Sequence, residues 1–311
     1  MMERVQREDR IGSAPDTPDR TPVRVVLASA ARRLAESGAA APRVDAELLT
    51  AYVLGVRRGR LPLVDDVAAA DAARLAELVA RRAAGTPLQH LTGLAPFRRL
   101  ELAVGPGVFV PRPETELLVD AGRRLVGTDA PLVVDLCAGS GALGLAVANE
   151  QPAARVVLVE NDPAALAYLR RNAAARQTAG DPAVRVEQAD VTTDTLLADL
   201  TGTVDLVLAN PPYVPAGTPL PADVAGADPD PALYAGADGL AVIRPLARQA
   251  ARLLRPGGVL VVEHDDTHGA AVPALLAAGP YVEVADHCDL AGRDRYTTAR
   301  RTAAEWETAP S

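Results

Sequence analysis

The sequence predicts an α/β fold: a doubly wound, mostly parallel sheet with an antiparallel C-terminal strand pair, preceded by a small helical bundle and a β-hairpin. Three observations predict it. Beyond Pro131, short β-branched runs alternate with helix-like segments, the order that builds a parallel sheet through helical crossovers. A Gly-rich turn, Gly139-Ser140-Gly141, separates the first of those runs from the first of those helices, as at helix N-termini that receive a ligand. Upstream, three amphipathic stretches follow one another, each too short to be stable alone, which predicts that they pack together.

The 311 residues allow a sizeable core and two domains. The expected organisation is a disordered tail over 1–21, a helical domain over 22–90, a hairpin linker over 91–112, a ligand-binding α/β domain over 113–302 and a frayed end over 303–311. No apolar run suits a membrane span. The charged start, MMERVQREDRIGSAPDTPDRTP, lacks the apolar core of a secretory signal. Two cysteines, Cys137 and Cys288, build no disulfide framework and fit a reducing compartment, so a cytoplasmic location is expected. A formal net charge of -8 argues against coating nucleic acid by bulk electrostatics. All basic residues are Arg, a bias with no mechanism attached.

In the first helical segment Val26, Ala30 and Leu34 form the apolar stripe; in the second Leu48, Leu49, Tyr52, Val53 and Val56 do. Leu75, Leu78 and Val79 stripe the third, with Asp71 as the expected N-cap and Gly85 as its stop. Leu100, Leu102 and Val104 alternate with polar or small residues, which predicts the hairpin. Pro113 and Glu114 suit the first turn of the next helix. Phe109 stands beside the Pro-Arg-Pro turn at 111–113, and two readings stay open for it, a lid over a ligand or core packing. Strands are expected over 132–136, 156–160, 184–187, 204–209 and 259–263, helices over 142–149, 164–175 and 240–254, and a closing antiparallel pair over 281–287 and 295–300.

Gly139 to Gly144 fits a dinucleotide fingerprint, and Glu160 lies where a ribose-binding acid belongs. Two features point elsewhere. Asp135 places an acid inside the first strand, and Cys137 and Ala138 lengthen the loop before its first glycine. An acid there can accept from a cationic amino group, which S-adenosylmethionine has and a nicotinamide dinucleotide lacks. Glu160 would then take the ribose hydroxyls, and Asp190, after the third strand, would meet the adenine amino group. Leu208-Ala209-Asn210-Pro211-Pro212-Tyr213 supplies the other half. The two prolines end the strand and stiffen the loop, and Asn210, preceding a proline, is held extended. An amide nitrogen is a poor nucleophile because its lone pair is delocalised. Two acceptors, the Asn210 side-chain oxygen and the Pro211 carbonyl, would hold a planar –NH2 group with that lone pair facing a methyl. Tyr213 would stack on it and stabilise developing positive charge.

Taken together these residues resemble the HemK/PrmC family of protein glutamine methyltransferases, with the resemblance running from about Val25 to Arg300. Its most specific segment is Gly107-Val108-Phe109-Val110-Pro111-Arg112-Pro113-Glu114-Thr115-Glu116. Thr86-Pro87-Leu88-Gln89-His90 to Gly93, Asp228-Pro229-Asp230-Pro231-Ala232-Leu233 with Asp238-Gly239-Leu240, and Asp289 to Arg295 are also similar. The resemblance implies a Rossmann-like methyltransferase fold, S-adenosylmethionine as donor, and class-one peptide chain release factors as protein substrate, modified on the glutamine of a Gly-Gly-Gln motif. It implies donor contacts at Cys137, Ala138, Gly139, Ser140, Gly141, Glu160 and Asn210, and a glutamine grip at Asn210, Pro211, Pro212 and Tyr213. Asp135, Asp190, Val191 and Phe109 complete the donor set, and Arg112 joins the substrate set. Cys137 and Ala138 stand where many members have Gly and Thr, Glu160 replaces Asp, Val191 stands where some place an aromatic, and Asp228 replaces Glu.

Two rival readings follow from the same residues. A methyltransferase acting on an exocyclic amine of a nucleic-acid base uses the same Asn-Pro-Pro-Tyr grip, but generally needs a basic surface that this acidic chain does not show. A non-catalytic binder acting through its Arg-bearing helices would not need an intact Asn210 and glycine loop. Glu263-His264-Asp265-Asp266-Thr267-His268 has the residue types of a metal site, although strand-end acids and loop histidines are common without metal, and no metal is expected.

Overall fold

A computed structural model describes residues 20–219 and 228–303. The expected tail up to residue 19 and the expected fraying beyond 303 lie outside the described residues. The chain divides between Ala84 and Gly85 into two compact units.

In the first unit, strand β1 (Arg20–Pro22) precedes helices α1 (Val23–Glu36) and α2 (Pro42–Val53), then strand β2 (Asp66–Ala68) and helix α3 (Ala69–Ala83). The three helices bury Leu34, Leu49 and Leu75, each no more than 2% exposed. Arg20 and Thr21, placed in the tail by sequence, instead pair with Ala68 and Val67 across an antiparallel β1–β2 bridge. Asp71 is not the N-cap of α3. Ala68 occupies that position without a side-chain hydrogen bond, and Asp71 sits inside the first turn, where its charge still favours the helix dipole. The arginine-rich faces are partly engaged within the unit: Arg82 pairs with Asp45 at 2.8 Å and Arg58 with Glu47 at 2.7 Å.

The second unit opens with α4 (Leu88–Thr92), the hairpin β3 (Leu94–Phe97) and β4 (Leu100–Ala103), and helix α5 (Glu116–Leu125). The segment 86–90 therefore falls with the hairpin rather than with the helices. Then come β5 (Leu132–Leu136), α6 (Ala142–Glu150), β6 (Arg155–Glu160), α7 (Pro163–Thr178), β7 (Arg185–Gln188), β8 (Val204–Ala209), α8 (Ile243–Leu253), β9 (Leu254–Glu263), α9 (Ala271–Ala277), β10 (Tyr281–Cys288) and β11 (Asp294–Arg301). Helix α9 has no counterpart in the sequence reading, and its seven residues are too few for periodicity to reveal.

One sheet of seven strands results, in the order β10-β11-β9-β8-β5-β6-β7. Strands β5 to β9 run parallel, and β11 lies antiparallel between β9 and β10. Side chains alternate across a strand, so each strand feeds two cores. Val133, Leu206, Leu208, Leu158 and Val261 pack on one face with Leu118, Leu145 and Leu169 from α5, α6 and α7. Val134, Leu136, Val159, Val207 and Leu260 pack on the other with Ile243, Leu246 and Leu276 from α8 and α9. Chain order reverses between β5 and β8, since β6 and β7 lie on one side of β5 and the later strands on the other. A crevice beyond the carboxyl ends of such a pair is the usual ligand position in open α/β sheets. Among the described residues, no helix is long and apolar enough to cross a membrane.

The hairpin is fastened to this unit rather than strung between units. Asn172 on α7, 3% exposed, accepts from Ala103 N–H at 2.7 Å and donates to the Ala103 and Ser140 carbonyls at 3.0 and 2.9 Å. One buried amide thus joins the hairpin to the glycine loop.

Candidate active site

Strand pairing sets the site before any side chain is considered. Leu136 of β5 lies opposite Ala209 of β8, and Ala209 lies opposite Val262 of β9. The next residues, Cys137, Asn210 and Glu263, therefore emerge side by side, since neighbouring strands are about 5 Å apart. The glycine loop and the Asn-Pro-Pro-Tyr segment open into one cavity of about 730 Å³. Asp135, Cys137, Ala138, Gly139, Ser140, Glu160, Asp190, Val191, Asn210, Pro211, Pro212, Tyr213, Phe109 and Arg112, every site residue expected from sequence save one, line it.

The exception is Gly141. It ends the turn at φ +89, and a side chain there would meet Leu169 Cδ1 at 2.6 Å and Leu145 Cδ1 at 2.9 Å. Its missing Cβ leaves room for the core beneath the loop. Gly139, at φ +57 with open space around it, does face the cavity. Cys137 adopts φ +62 without being a glycine, a conformation that costs an L residue roughly 1 kcal/mol. Burial, followed by the neighbouring Glu160, Asp135 and Asp190 charges, pushes its thiol well above the ordinary range. It is a loop residue and no nucleophile.

Asp135 is 1% exposed. Its Oδ2 accepts from Gly144 N–H at 2.9 Å, while Oδ1 is buried with no hydrogen-bond partner among the described residues. The approach needs glycine at 144, where a Cβ would lie 2.4 Å from Leu158 Cδ2. Burial, with Glu160 adding, raises the carboxyl to about 7 against the pull of the Gly144 hydrogen bond. An orphaned acceptor of this kind is costly unless something cationic or hydrogen-bonding completes it. The amino group of S-adenosylmethionine fits that need.

Glu160 does more than the sequence suggested. Its Oε2 accepts from Gly139 N–H at 2.7 Å and its Oε1 from Asp162 N–H at 2.8 Å, so its first task is to hold the glycine turn. Glu160 also lines the cavity. Burial raises its pKa against these backbone bonds. Asp190 accepts from Thr192 N–H at 2.8 Å and from the Asn161 amide at 3.3 Å.

On the other side, Asn210 donates through Nδ2 to Thr115 Oγ at 3.2 Å. That leaves its Oδ1, to which no described residue donates, for whatever enters the cavity. The Tyr213 hydroxyl donates to Glu263 Oε1 at 3.2 Å. Its pKa lies well above the ordinary value, chiefly through burial and then through Glu263, so the phenol keeps its proton. Val214 N–H donates to the Leu233 carbonyl and Ala235 N–H to the Val214 carbonyl, at 2.8 and 2.9 Å, which extends the stiff loop. Arg112 stacks 5.0 Å from the Phe109 ring centroid and pairs with Asp228 at 2.6 Å. Phe109 is therefore a cavity wall, and the Arg112 charge is already matched by a buried acid. Thr115 and Glu263 had not been assigned to this site from sequence. The one signal for Glu263 was an acid ending the apolar run Val-Leu-Val-Val at 259–262.

The chain is similar to known proteins along most of its length. Residues 26–93 match the family model for the PrmC N-terminal domain, and residues 103–220 match that of the methyltransferase small domain. The release factor glutamine methyltransferase of Mycolicibacterium smegmatis is 51% identical, over 91% of this chain and 99% of its own. That of Streptomyces coelicolor is 49% identical, over 88% and 96%. Among solved structures, the hMettl16 catalytic domain in complex with the MAT2A 3'UTR hairpin 6 superposes with a TM-score of 0.51 at 15% identity, over 79% of this chain and 87% of that one. That likeness concerns the fold alone.

Proposed function

The chain belongs to the HemK/PrmC family of release factor glutamine methyltransferases, and from that premise we propose that it methylates the side-chain amide nitrogen of the glutamine in the Gly-Gly-Gln motif of class-one peptide chain release factors. The observation that carries this reading is the Asn210 amide, whose Nδ2 is tied to Thr115 so that Oδ1 is offered beside the glycine turn.

S-adenosylmethionine, when bound, supplies an electrophilic methyl on a sulfonium. Asp135 Oδ1 would pair with its ammonium, Glu160 would accept from the ribose hydroxyls, and Asp190 with Val191 would meet the adenine. Asn210 Oδ1 and the Pro211 carbonyl accept the two hydrogens of the substrate –NH2. This grip turns the nitrogen lone pair toward the methyl and holds a near-attack geometry. The substrate nitrogen would form its bond to the methyl as the C–S bond breaks, with that bond's electron pair left on the donor and positive charge growing on nitrogen. The Tyr213 ring stabilises that charge. The alkylated amide is strongly acidic and gives its extra proton to water or a carbonyl, so no general base is needed. Substrate recognition is assigned to the helical domain, whose family model covers residues 26–93.

The test is incubation of the purified chain with methyl-labelled donor and a purified release factor, followed by mass mapping. Label on the Gly-Gly-Gln glutamine is the expected result. Label absent from the release factor, but present on an adenine-containing nucleic acid, would overturn the reading.

A further inference from the structure

The stretch Glu263 to His268 holds the residue types of a metal site, yet the fold sends each away from the others. The His264 ring is buried between the Asp265 carbonyl at 2.9 Å, Asp286 Oδ1 at 2.8 Å and Thr297 Oγ at 3.0 Å. Asp265 accepts from Thr267 N–H at 3.0 Å. His268 donates through Nε2 to the Asp238 carbonyl at 3.0 Å and lies against Gly239, where an added Cβ would be 2.3 Å from the Tyr213 carbonyl. Among the described residues no group of three or more such side chains is arranged for a metal ion. Glu263 remains. It is 0% exposed, emerges beside Asn210, and accepts from the Tyr213 hydroxyl.

We propose that Glu263 is a positioning residue for methyl transfer, its carboxylate aligning the Tyr213 ring through the phenolic O–H and the Asn210 amide through Thr115. This rests on the reading of Asn210 to Tyr213 as the glutamine grip. An ionised carboxylate only accepts hydrogen bonds. Tyr213 already points its O–H at Oε1. The Thr115 hydroxyl approaches the same carboxyl without completing a well-formed hydrogen bond. Glu263 Oε2 is buried without a partner among the described residues, and a Thr115 hydroxyl turned toward it leaves the Oγ lone pair for Asn210 Nδ2 and Asn210 Oδ1 for the substrate. Removing the charge frees Thr115 to reverse its hydroxyl. Asn210 can then flip and present its own –NH2 to the substrate –NH2, donor against donor.

Burial raises Glu263 to about 7. Glu114 adds to that rise, and Thr115, Tyr213 and Arg295 oppose it. Below that pH the carboxyl is neutral and carries an O–H donor of its own, and above it the carboxylate only accepts. The relay thus ties the rate of transfer to pH through a residue that contacts neither substrate.

The experiment compares the full chain with Glu263→Gln, using a purified release factor and S-adenosylmethionine across pH 6–8. Glu263→Gln is expected to lower kcat by about tenfold or more with donor Kd unchanged, the signature of a lost transition-state interaction. It is also expected to flatten the rise of kcat through pH 7. A variant with wild-type kcat, or one that keeps the wild-type pH rise, overturns the relay. If thermal unfolding shows that Glu263→Gln does not fold, Tyr213→Phe and Thr115→Val decide, since each cuts one arm and leaves Glu263 in place. Lowered kcat with kept donor affinity in both supports the relay; full kcat in both overturns it. Failure of the wild type to methylate the release factor sinks the underlying reading instead, so the two failures are distinguishable.

Discussion

The two walls of the cavity are built by different means. On the glycine-loop wall, carboxylates are held chiefly by backbone N–H groups: Asp135 by Gly144, Glu160 by Gly139 and Asp162, Asp190 by Thr192. On the Asn-Pro-Pro-Tyr wall, side chains are held by side chains far away in sequence: Asn210 by Thr115 and Tyr213 by Glu263. Backbone donors stay put when a side chain is changed, whereas a chain of side-chain hydrogen bonds fails as a unit. The first wall should therefore lose affinity by increments, and the second should lose catalysis outright.

The largest effect expected is that of Asn210→Ala. It removes the acceptor proposed to meet the substrate amide, and loss of one oriented hydrogen bond at a reacting centre costs about 10²–10³ in kcat. Donor Kd, measured by calorimetry, should change far less. Equal losses in kcat and donor affinity would erase the distinction between the walls.

Asp135→Asn comes next and should act on binding. Replacing a charge partner of the ammonium is worth roughly 2–3 kcal/mol, on the order of a hundredfold in donor Kd. The pH dependence has a definite sign. Asp135 lies at about 7, so donor affinity of the wild type should fall as pH drops from 8 to 6 and the carboxylate is protonated. Calorimetry on Asp135→Asn should show no such fall. An identical slope in the variant would assign the proton to another group.

The same shift predicts stability without donor. Asp135 and Glu263 both titrate in the folded state near 7, above their values in an unfolded chain. Their stabilising contribution is therefore complete below about pH 4 and is lost as pH rises through 7. Thermal unfolding of the donor-free protein should show Tm declining between pH 5 and 8, with a shallower decline in Asp135→Asn.

This contrast also explains what was legible in the sequence. The strand and helix alternation, the glycine turn and the Asn-Pro-Pro-Tyr elbow are local signals, and all but one of the residues read from them line the cavity. Thr115 and Glu263 reach the site only through the β9–β8–β5 order and the turn before α5, which no local pattern encodes. Glu263 was visible only as a strand-end acid beside two histidines, a composition shared with metal sites. Asp71 failed as a cap for the opposite reason: capping residues are local and common, and the chain before α3 is already committed to β2. Gly139 and Gly141 look alike in sequence, although a side chain would meet open space at one and the Leu169 and Leu145 methyls at the other.

That last pair gives the finest test of the comparison. Both glycines have positive φ, so alanine is strained at either by about 1 kcal/mol. At Gly139 nothing lies within 4 Å of an added Cβ, whereas at Gly141 it would strike the Leu169 and Leu145 methyls at 2.6 and 2.9 Å. Overpacking of a filled core adds about 1–3 kcal/mol. Gly141→Ala should accordingly unfold at a lower temperature than Gly139→Ala. Gly139→Ala, whose methyl enters the cavity, should be the one that weakens donor binding in calorimetry. The reverse ranking in both measurements would mean that the turn, and not the core beneath it, places Gly141.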